Sequence, residues 1–294
     1  MHGILNIAKP PGCTSRDIVN RIERRIQPIK VGHAGTLDPL ATGVLVCPVG
    51  QGTRLIEYIQ RYPKTYEGTF ELGKSSDTED ITGTVTILEN CPKPSRQQLE
   101  QVLPRFVGRI QQMPPNFSAL KVKGQRAYKL ARAGEAVELA ARPIEVYSLE
   151  LLDFGYPQFC LRITCGSGTY VRSLGRDIAQ VLGSEAVMSQ LVRTAIGPFS
   201  LATAISGETL AEADLAACLL PLSTATQLIP QVAISPDAAR GFVQGQLVAL
   251  PGVEPCEEVA ALDEAGNLLA IVSPAEEGKW RTAKNFQAAM ERYP

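Results

Sequence analysis

KTYEGTFELGKSSDTEDITGTVTILEN, residues 64–90, contains two runs in which apolar and polar side chains alternate with the period of a β-strand. The first run is KTYEGTFELG and the second is GTVTILEN, and the acidic, polar loop KSSDTEDIT joins them without a helix. We predict that the two runs form antiparallel strands. Strand runs and helices alternate irregularly along the chain, without a repeated βαβ unit, and this order favours an α+β fold with a mixed, mainly antiparallel central sheet.

The segments on either side supply the flanking helices of this fold and more of its strands. An apolar residue recurs every four positions in CTSRDIVNRIERRI, which predicts a helix capped by Thr14 or Ser15. SRQQLEQVLPRFVGRI predicts another capped helix, which Pro104 must bend or break. Further strands are predicted at GILNIAKP, TGVLVCPVG, PIEVYSLELLDF and FCLRITC, and further helices at GTRLIEYIQRY and VRSLGRDIAQVLG.

The composition is that of a globular protein, and the two ends of the chain differ in charge. Of the 294 residues, 45% are hydrophobic and 20% are charged. Residues 1–204 carry 24 Lys and Arg against 18 Asp and Glu, whereas residues 205–294 carry 5 against 12. Near residues 226–232 the pattern changes to a capped helix followed by short strands. We therefore predict a large basic domain, residues 1–228, and a small acidic C-terminal domain, residues 229–294.

The number and spacing of cysteine and histidine residues argue against a metal site and a disulfide framework. The seven cysteines include no C-x-x-C pair, and the two histidines are His2 and His33. We expect reduced thiols and no metal, so that catalysis must use carboxylates, tyrosine, arginine or lysine. The chain also lacks a run of roughly 18 apolar residues and a secretory pattern at its amino terminus. We expect a cytoplasmic protein without a membrane partner.

The stretch GHAGTLDPLATGVL, Gly32 to Leu45, holds a single carboxylate, that of Asp38. An aspartate followed by a proline is a common helix start, with Asp38 as the cap and Pro39 at the first helical position. The glycines around the carboxylate also let the backbone take left-handed turns and let a ligand approach closely. The residues alone leave both a structural turn and a catalytic loop open.

Two further patterns carry side chains suited to a site. GSGTYVRS places Tyr170 and Arg172 just past a glycine turn, on the same side of an extended segment. An arginine there can pair with a buried carboxylate, although a surface arginine beside a core tyrosine fits equally well. A basic segment without acids fits either phosphate contacts or a solvated surface. Its charged residues are Lys121, Lys123, Arg126, Lys129 and Arg132.

Several of these stretches belong to one longer series of motifs. In chain order they are GILNIAKPPGCTS, GHAGTLDPLATGVL, KTYEGTFELG, NFSALKVKGQRAYKLAR, RPIEVY, CGSGTYVRSLGRDI and QLVRTAIGPF. Together, over roughly residues 1–205, they resemble the bacterial TruB-type family of tRNA pseudouridine synthases. The resemblance implies the pseudouridine synthase fold for this part of the chain. Residues 232–294 are loosely similar to a small PUA-like RNA-binding domain.

The resemblance assigns roles to four side chains at the reacting nucleotide. Asp38 matches the catalytic aspartate of the family, and Arg172 matches the arginine that pairs with it. Tyr66 matches the tyrosine that stacks on the target uracil. His33 matches the histidine that inserts near the flipped nucleotides of the RNA loop.

Other matched residues surround this predicted site. Tyr170 and Leu191 match residues that line the same pocket, and Lys9 matches a structural lysine near it. The basic segment, residues 121–132, matches part of an insertion near residues 110–142 that closes over the RNA stem-loop. The resemblance thus implies that its lysines and arginines contact the RNA backbone.

The implied activity is the isomerisation of uridine to pseudouridine at position 55 in the T-loop of tRNA. The reaction breaks a carbon–nitrogen bond, turns the ring and forms a carbon–carbon bond without redox change, so no cofactor is required. An ionised Asp38 can attack the anomeric carbon, add to carbon 6 of the ring or remove the proton at the 2′ carbon, and the sequence leaves these routes open. Tyr66 is also a candidate for removing the proton from carbon 5.

Two other functions stay open on the sequence alone. In a non-catalytic RNA-binding or tRNA-folding module, the basic segment would act and Asp38 would only cap a turn. The catalytic subunit of a guide-RNA pseudouridylation complex shares the aspartate motif, but would normally bring basic tails and a stronger PUA match. We expect the T-arm stem-loop of tRNA as the partner, no small-molecule cofactor, and a monomer.

Overall fold

The computed structural model of the chain describes residues 1–115, 117, 121–122, 125–126, 139–254 and 256–286. The α-helices among these residues are α1 (Ser15–Ile26), α2 (Ile56–Arg61), α3 (Arg96–Val102), α4 (Val171–Val181) and α5 (Pro236–Val243). The strands are β1 (Gly3–Lys9), β2 (Thr42–Val49), β3 (Lys64–Leu72), β4 (Lys74–Ser76), β5 (Val85–Ile87), β6 (Gly108–Gln112), β7 (Lys121–Val122), β8 (Gln125–Arg126), β9 (Arg142–Gly155), β10 (Gln158–Cys165), β11 (Ala186–Ile196), β12 (Phe199–Ser200), β13 (Ile205–Ser206), β14 (Gln231–Ala233), β15 (Val248–Ala249), β16 (Val259–Leu262), β17 (Leu268–Pro274) and β18 (Lys279–Asn285).

A nine-stranded sheet forms the centre of the fold. Its strand order is β13, β1, β2, β11, β3, β10, β9, β6, and β12 pairs with β11. The pairs β1 with β13 and β2 with β11 are parallel, and the other pairs in this sheet are antiparallel. The predicted α+β class with a mixed, mainly antiparallel central sheet is therefore confirmed.

Helix α1 begins where its capping residues predict. The hydroxyl of Thr14 accepts a hydrogen bond from the backbone N–H of Asp17, and the Asp17 carboxylate accepts one from the backbone N–H of Thr14. Ile18, Val19 and Ile22 are buried in one cluster with side chains of β1 and β2. The apolar stripe predicted from the sequence thus holds α1 against these two strands.

Helix α4 packs closely on the sheet because Gly175 faces the ring of Phe70. A Cβ atom at Gly175 would lie 2.2 Å from two atoms of that ring, so no larger residue fits without a shift. Leu174 and Ile178 are buried in the same cluster. This contact places the first turn of α4, which carries Arg172, over the sheet.

Both runs within residues 64–90 form antiparallel strands, as predicted, but they do not pair with each other. β3 pairs with β10 and β11, whereas β5 pairs with β4, which lies in the stretch that the sequence assigns to the loop. The reason is burial: Phe70 and Leu72 of β3 enter the core, while Val85 and Ile87 of β5 are exposed. Alternation identifies a strand with two unlike faces but does not identify its partner.

Pro104 ends helix α3, as the sequence predicts, but the segment after it is not helical. The α-helix ends at Val102, and Leu103–Phe106 forms a short 3-10 turn. The chain then enters β6 through Gly108, whose φ of +95° does not fit a right-handed helix. The predicted continuation of the helix to Ile110 is therefore wrong.

A second sheet, formed near the carboxyl end, packs against the central one. Its order is β14, β16, β17, β18, β15. Ile271 and Phe286 are buried in one cluster with Ile4 and Val46 of the central sheet. The β-rich character predicted for this region is present, and its core is shared with the larger sheet. None of the helices that the structure describes is long and apolar enough to cross a membrane.

Candidate active site

A cavity of about 280 Å³ opens beside the carboxylate of Asp38. Its walls come from the loop before β2, from β3 and β11, from the glycine turn after β10, and from the first turn of α4. The cavity brings together five of the seven residues predicted to act in catalysis or substrate binding. These are Asp38, Tyr66, Tyr170, Arg172 and Leu191.

The loop that carries Asp38 is anchored on both sides of the carboxylate. The Ser15 hydroxyl accepts a hydrogen bond from the Leu37 N–H at 2.8 Å and donates one to the Leu37 carbonyl at 3.2 Å. The Pro39 carbonyl lies 3.4 Å from Nζ of Lys9. The residues before and after Asp38 are thus fixed by the connection between β1 and α1.

The alternative that Asp38 caps a helix is wrong. The Asp38 carbonyl accepts a hydrogen bond from the Ala41 N–H at 3.0 Å, in a turn that leads directly into β2. No helix begins at Pro39 in this described part of the chain. The carboxylate is not needed as a cap, and its side chain is 43% exposed.

Arg172 is buried between two carboxylates, with 8% of its side chain exposed. Its Nη2 lies 3.1 Å from Oδ2 of Asp38, and its Nη1 lies 3.4 Å from Oδ2 of Asp80. The guanidinium also donates to the carbonyls of Thr78 at 2.6 Å and Phe117 at 3.2 Å. The ion pair with Asp38 that the resemblance implies is present, and Asp80 is an additional partner.

Asp80 is itself locked in place by its own loop. It is buried, and its Oδ1 accepts hydrogen bonds from the N–H and the hydroxyl of Thr82. The adjacent Glu79 has a φ of +63°, and its carboxylate accepts a hydrogen bond from the Ser173 hydroxyl and pairs with Arg176. The loop between β4 and β5 is therefore tied to α4 through Arg172, Ser173 and Arg176.

The period-two interpretation of Tyr170 and Arg172 is wrong, although both residues line the cavity. Helix α4 begins at Val171, and the Leu174 N–H donates to the Tyr170 carbonyl at 3.0 Å to close its first turn. Tyr170 is thus the cap residue and Arg172 lies inside the helix. The ring of Tyr170 lies against the guanidinium of Arg142, with 4.9 Å from Cζ to the ring centre.

Tyr66 and Leu191 form a largely apolar part of the cavity wall, and Arg193 lines the cavity with them. Arg193 is buried and donates to the carbonyls of Val44 at 2.7 Å and Gly35 at 3.1 Å. Its Cζ lies 6.0 Å from the centre of the Tyr66 ring. Burial raises the pKa of Tyr66, so this side chain is a neutral phenol at neutral pH.

Lys64 lies two residues before Tyr66 on β3 and lines the same cavity. The residue is 5% exposed. Its Nζ donates to the Ser167 hydroxyl at 2.9 Å and to the Gln60 carbonyl, and the Ser167 hydroxyl donates to the same carbonyl at 2.7 Å. Burial, reinforced by the positive charge of Arg193, lowers the pKa of Lys64 to about 8.

His33 and Lys9 are not part of the cavity wall. Burial, followed by the positive charge of Arg16, lowers the pKa of His33, so its imidazole is neutral at neutral pH. Lys9 is buried and donates to the carbonyls of Pro10 at 3.0 Å and Cys13 at 2.8 Å. Burial also lowers its pKa. These contacts fit the structural role that the resemblance implies for Lys9.

The basic segment lies mostly outside the described residues. Lys121 and Arg126 belong to the strand pair β7 and β8, whereas Lys123, Lys129 and Arg132 are not described. Their contact with RNA phosphates therefore stays a prediction. Among the residues that are described, no group of three or more His, Cys, Asp or Glu could hold a metal ion.

Family comparisons identify the chemistry that such a cavity serves. The model of the TruB family pseudouridylate synthase N-terminal domain matches residues 23–171, and that of the tRNA pseudouridylate synthase B C-terminal domain matches residues 172–227. The chain belongs to the TruB family. It is therefore a pseudouridine synthase, an enzyme of the isomerase class. The hypothesis of a non-catalytic module is rejected.

Curated relatives of this TruB-family chain are similar over most of their length. The tRNA pseudouridine synthase B of Dehalococcoides mccartyi (strain CBDB1) is 41% identical over 290 residues, which cover 97% of each chain. That of Oceanobacillus iheyensis is 38% identical over 296 residues, covering 97% of this chain and 98% of the relative. That of Rhodospirillum rubrum is 43% identical over 255 residues, covering 85% and 82%.

Solved structures share the fold of the TruB-family chain. A chain from the structure of an H/ACA RNP bound to a substrate RNA containing 2′-deoxyuridine matches with a TM-score of 0.76 and 24% identity, over 99% of this chain and 87% of that one. A chain from a Cbf5-Nop10-Gar1 complex matches with a TM-score of 0.73 and 26% identity, over 97% and 84%. The pseudouridine synthase fold implied by the sequence motifs is thus confirmed.

Sequence reasoning did not single out three charged residues of this site. Lys64 stands in KTYEGTFELG, Asp80 in KSSDTEDIT and Arg193 in QLVRTAIGPF. For Lys64 a signal exists, because a residue two positions before Tyr66 on a strand lies on the same face. The loop around Asp80 offers three acidic residues, and nothing in their spacing separates the one that meets Arg172.

Proposed function

We propose that the chain isomerises uridine 55 in the T-loop of tRNA to pseudouridine. One observation carries the proposal: the Asp38 carboxylate is paired with the buried Arg172, yet remains 43% exposed beside a cavity walled by Tyr66 and Leu191. A carboxylate fixed in direction next to an aromatic surface suits the attack on a nucleoside whose base stacks on that surface. The names of the matched family model and relatives support tRNA as the substrate.

The target base must leave its stack to reach this cavity. An enzyme that acts on a base within a folded loop flips the nucleotide out, at a cost of a few kcal/mol. Tyr66 offers the base a stacking surface inside the cavity. His33 stands five residues before Asp38 on the same loop, and its lowered pKa makes it a neutral ring. A neutral imidazole can fill the vacated position without desolvating a charge.

The residues around the flipped nucleotide then have separate tasks. Asp38 is the reacting carboxylate, by whichever of the three routes described above, and Arg172 holds it in direction. Tyr66 stacks on the ring, and Leu191 and Tyr170 exclude water from it. Because burial raises the pKa of Tyr66, its phenol must first lose a proton before it can remove one from carbon 5. Stacking requires no such step.

Contacts beyond the cavity belong to the same proposal. The basic segment, residues 121–132, supplies salt-sensitive contacts to phosphates of the T-arm. Residues 1–228, with an insertion near 110–142, form the catalytic domain, and residues 229–294 form a PUA-like domain. The enzyme acts as a monomer in the cytoplasm, and its reaction requires no cofactor.

Mapping pseudouridine in tRNA tests the function. An unmodified tRNA transcript is incubated with the purified protein, and its pseudouridines are located by chemical labelling and primer extension. We expect one new pseudouridine at position 55, formed without added RNA. Modification at another uridine would reassign the substrate. A requirement for a second RNA would favour the guide-RNA hypothesis.

A further inference from the structure

Lys64 is a buried cation held by neutral groups. Its Nζ contacts the Ser167 hydroxyl and the Gln60 carbonyl. Among the described residues Lys64 forms no ion pair with a carboxylate, and the charged groups that act on it are Arg193 and Cys165. Arg172, on another wall of the cavity, pairs with two carboxylates. A desolvated ammonium without an opposite charge costs folding free energy, so the fold alone gives little reason for it.

The ammonium of Lys64 has unused capacity on the cavity side. An ammonium carries three N–H donors, and the two contacts named above use two of them. Lys64 is part of the cavity wall, so the remaining donor and the charge are available to a ligand there. The Ser167 hydroxyl also donates to the Gln60 carbonyl, which keeps that carbonyl paired if Lys64 turns toward a ligand.

We propose that the ammonium of Lys64 binds a carbonyl oxygen of the flipped uracil and stabilises the negative charge that the ring gains during isomerisation. The inference rests on the proposed function, because it takes this cavity to be the place where the uridine reacts. It adds a catalytic group to Asp38, one that contacts the base rather than the sugar.

The position of Lys64 relative to Tyr66 suits this contact. The two residues are separated by one position on β3, so their side chains leave the same face of the strand, roughly 7 Å apart. A ring that stacks on Tyr66 presents its edge to Lys64. Uracil carries two carbonyl oxygens at its edge, on carbon 2 and carbon 4, and both accept hydrogen bonds.

The chemistry places negative charge on those oxygens in every route open to Asp38. When the bond from C1′ to N1 breaks, its electron pair goes to the ring and is shared among N1, O2 and O4. If Asp38 instead adds to carbon 6, the displaced electron pair reaches carbon 5 and O4. In the completed reaction C1′ bonds to carbon 5, the proton of carbon 5 leaves to a base, and N1 takes up a proton. Lys64 transfers no proton and is unchanged.

A structural role for Lys64 makes a different prediction. Gln60 lies near the carboxyl end of α2, where a lysine can satisfy a helix carbonyl and interact favourably with the helix dipole. A residue with that role alone would affect stability, and its loss would slow every substrate equally. A catalytic contact depends on which atom of the ring is present.

Single-turnover rates with thio-substituted tRNA separate the two roles. The proteins are wild type, Lys64→Met and Lys64→Gln, and the target nucleotide is uridine, 2-thiouridine or 4-thiouridine. Lys74→Met is the matched control, because Nζ of Lys74 pairs with Glu71 outside the cavity. On uridine, we expect Lys64→Met to be slower by about 100-fold, as for the loss of an oxyanion donor. The dissociation constant for tRNA should stay unchanged.

The decisive quantity is the ratio of wild-type to variant rates on each substrate. Sulfur accepts hydrogen bonds poorly, so the ratio should shrink about tenfold on the one thio-substrate whose oxygen Lys64 binds, if that contact provides about 1.4 kcal/mol. The other thio-substrate identifies the oxygen that is not contacted. An equal ratio on all three substrates, or no slowing on uridine, would overturn the proposal.

Stability measurements and the site of modification complete the test. We expect an unchanged or higher melting temperature for Lys64→Met, because an unpaired buried charge is removed. Lys64→Gln keeps a donor without the charge, and the same comparison of rates can be made with it if the methionine variant does not fold. If the wild-type enzyme modifies a different uridine, the position-55 proposal fails. The thio comparison then moves to that uridine and still judges Lys64.

Discussion

The buried cations on two walls of the cavity have different kinds of partner. On one, Arg172 lies between the carboxylates of Asp38 and Asp80. On the other, Arg193 and Lys64 are held by carbonyl and hydroxyl oxygens. On the first wall the positive charge is already paired with carboxylates before any substrate binds, and this pairing orients one reactive carboxylate. The second retains positive charge that an anionic substrate or intermediate can balance. Pre-organisation and charge stabilisation are thus carried by different walls.

The largest effect should come from removing the reactive charge of the first wall. Asp38→Asn keeps the shape and polarity of the side chain but removes the ionised oxygen. We expect tritium release from tRNA containing 5-tritiated uridine to fall by about 10⁴-fold, as for loss of a nucleophile. Thermal melting and tRNA affinity should match the wild type. Tritium release at the wild-type rate would show that the reaction does not need this carboxylate.

A smaller loss should follow from Asp80→Asn, which leaves Arg172 with one carboxylate. We expect urea unfolding to show a free energy lower by about 3 kcal/mol, because a buried ion pair loses one partner. A misdirected Arg172 should reduce kcat by roughly 100-fold. Asp77→Asn, in the same loop but exposed, is the control and should resemble the wild type. Equal behaviour of the two variants would show that the loop matters rather than the ion pair.

The second wall can be weakened without removing its charge by Arg193→Lys. A lysine cannot hold the carbonyls of Val44 and Gly35 in the way that the guanidinium does. Loss of one charged hydrogen bond predicts a kcat lower by about tenfold, with tRNA affinity preserved. Arg162→Lys, on a surface ion pair, controls for the exchange itself. A full-rate Arg193→Lys enzyme would mean that only the charge matters at this position.

The smallest expected effect is a pH dependence set by Lys64. Its pKa is about 8, because burial and the charge of Arg193 on β11 lower it, while Cys165 on β10 acts to raise it. Tyr66 and Asp38 face the same cavity. The ammonium is present below this pKa and lost above it. We expect kcat/KM to fall roughly fourfold between pH 7 and 8.5. The Lys64→Met enzyme should lack this decline. A parallel decline in the variant would assign the titration to another group.

The sequence predicted the elements of this protein better than their pairing. Capping residues and apolar periodicity located α1 correctly, because both act within one turn of the chain. The partner of β3 depends on which strands are buried, and alternation within one strand does not contain that information. Asp80 illustrates the same limit: its contact with Arg172 joins residues 92 positions apart through a loop whose shape only the fold defines.

The residues of the site were also predicted better than their local structure. Asp38, Tyr66 and Arg172 were found through motifs, and the cavity brings them together. The proposed extended segment around Arg172 was wrong, because the first turn of α4 includes this residue. The residue reaches the cavity nonetheless, since a helix that begins at the cavity wall also presents its first-turn side chains there.

The core shared by the two sheets has a consequence for how the enzyme loses its structure. Ile271 and Phe286 are buried together with Ile4 and Val46, so neither sheet can melt without exposing apolar surface of the other. We expect one cooperative unfolding transition, which the fluorescence of Trp280, the single tryptophan, should follow together with loss of activity. A destabilising substitution in the carboxyl-terminal sheet, far from the cavity, should therefore also lower the temperature at which the enzyme loses activity.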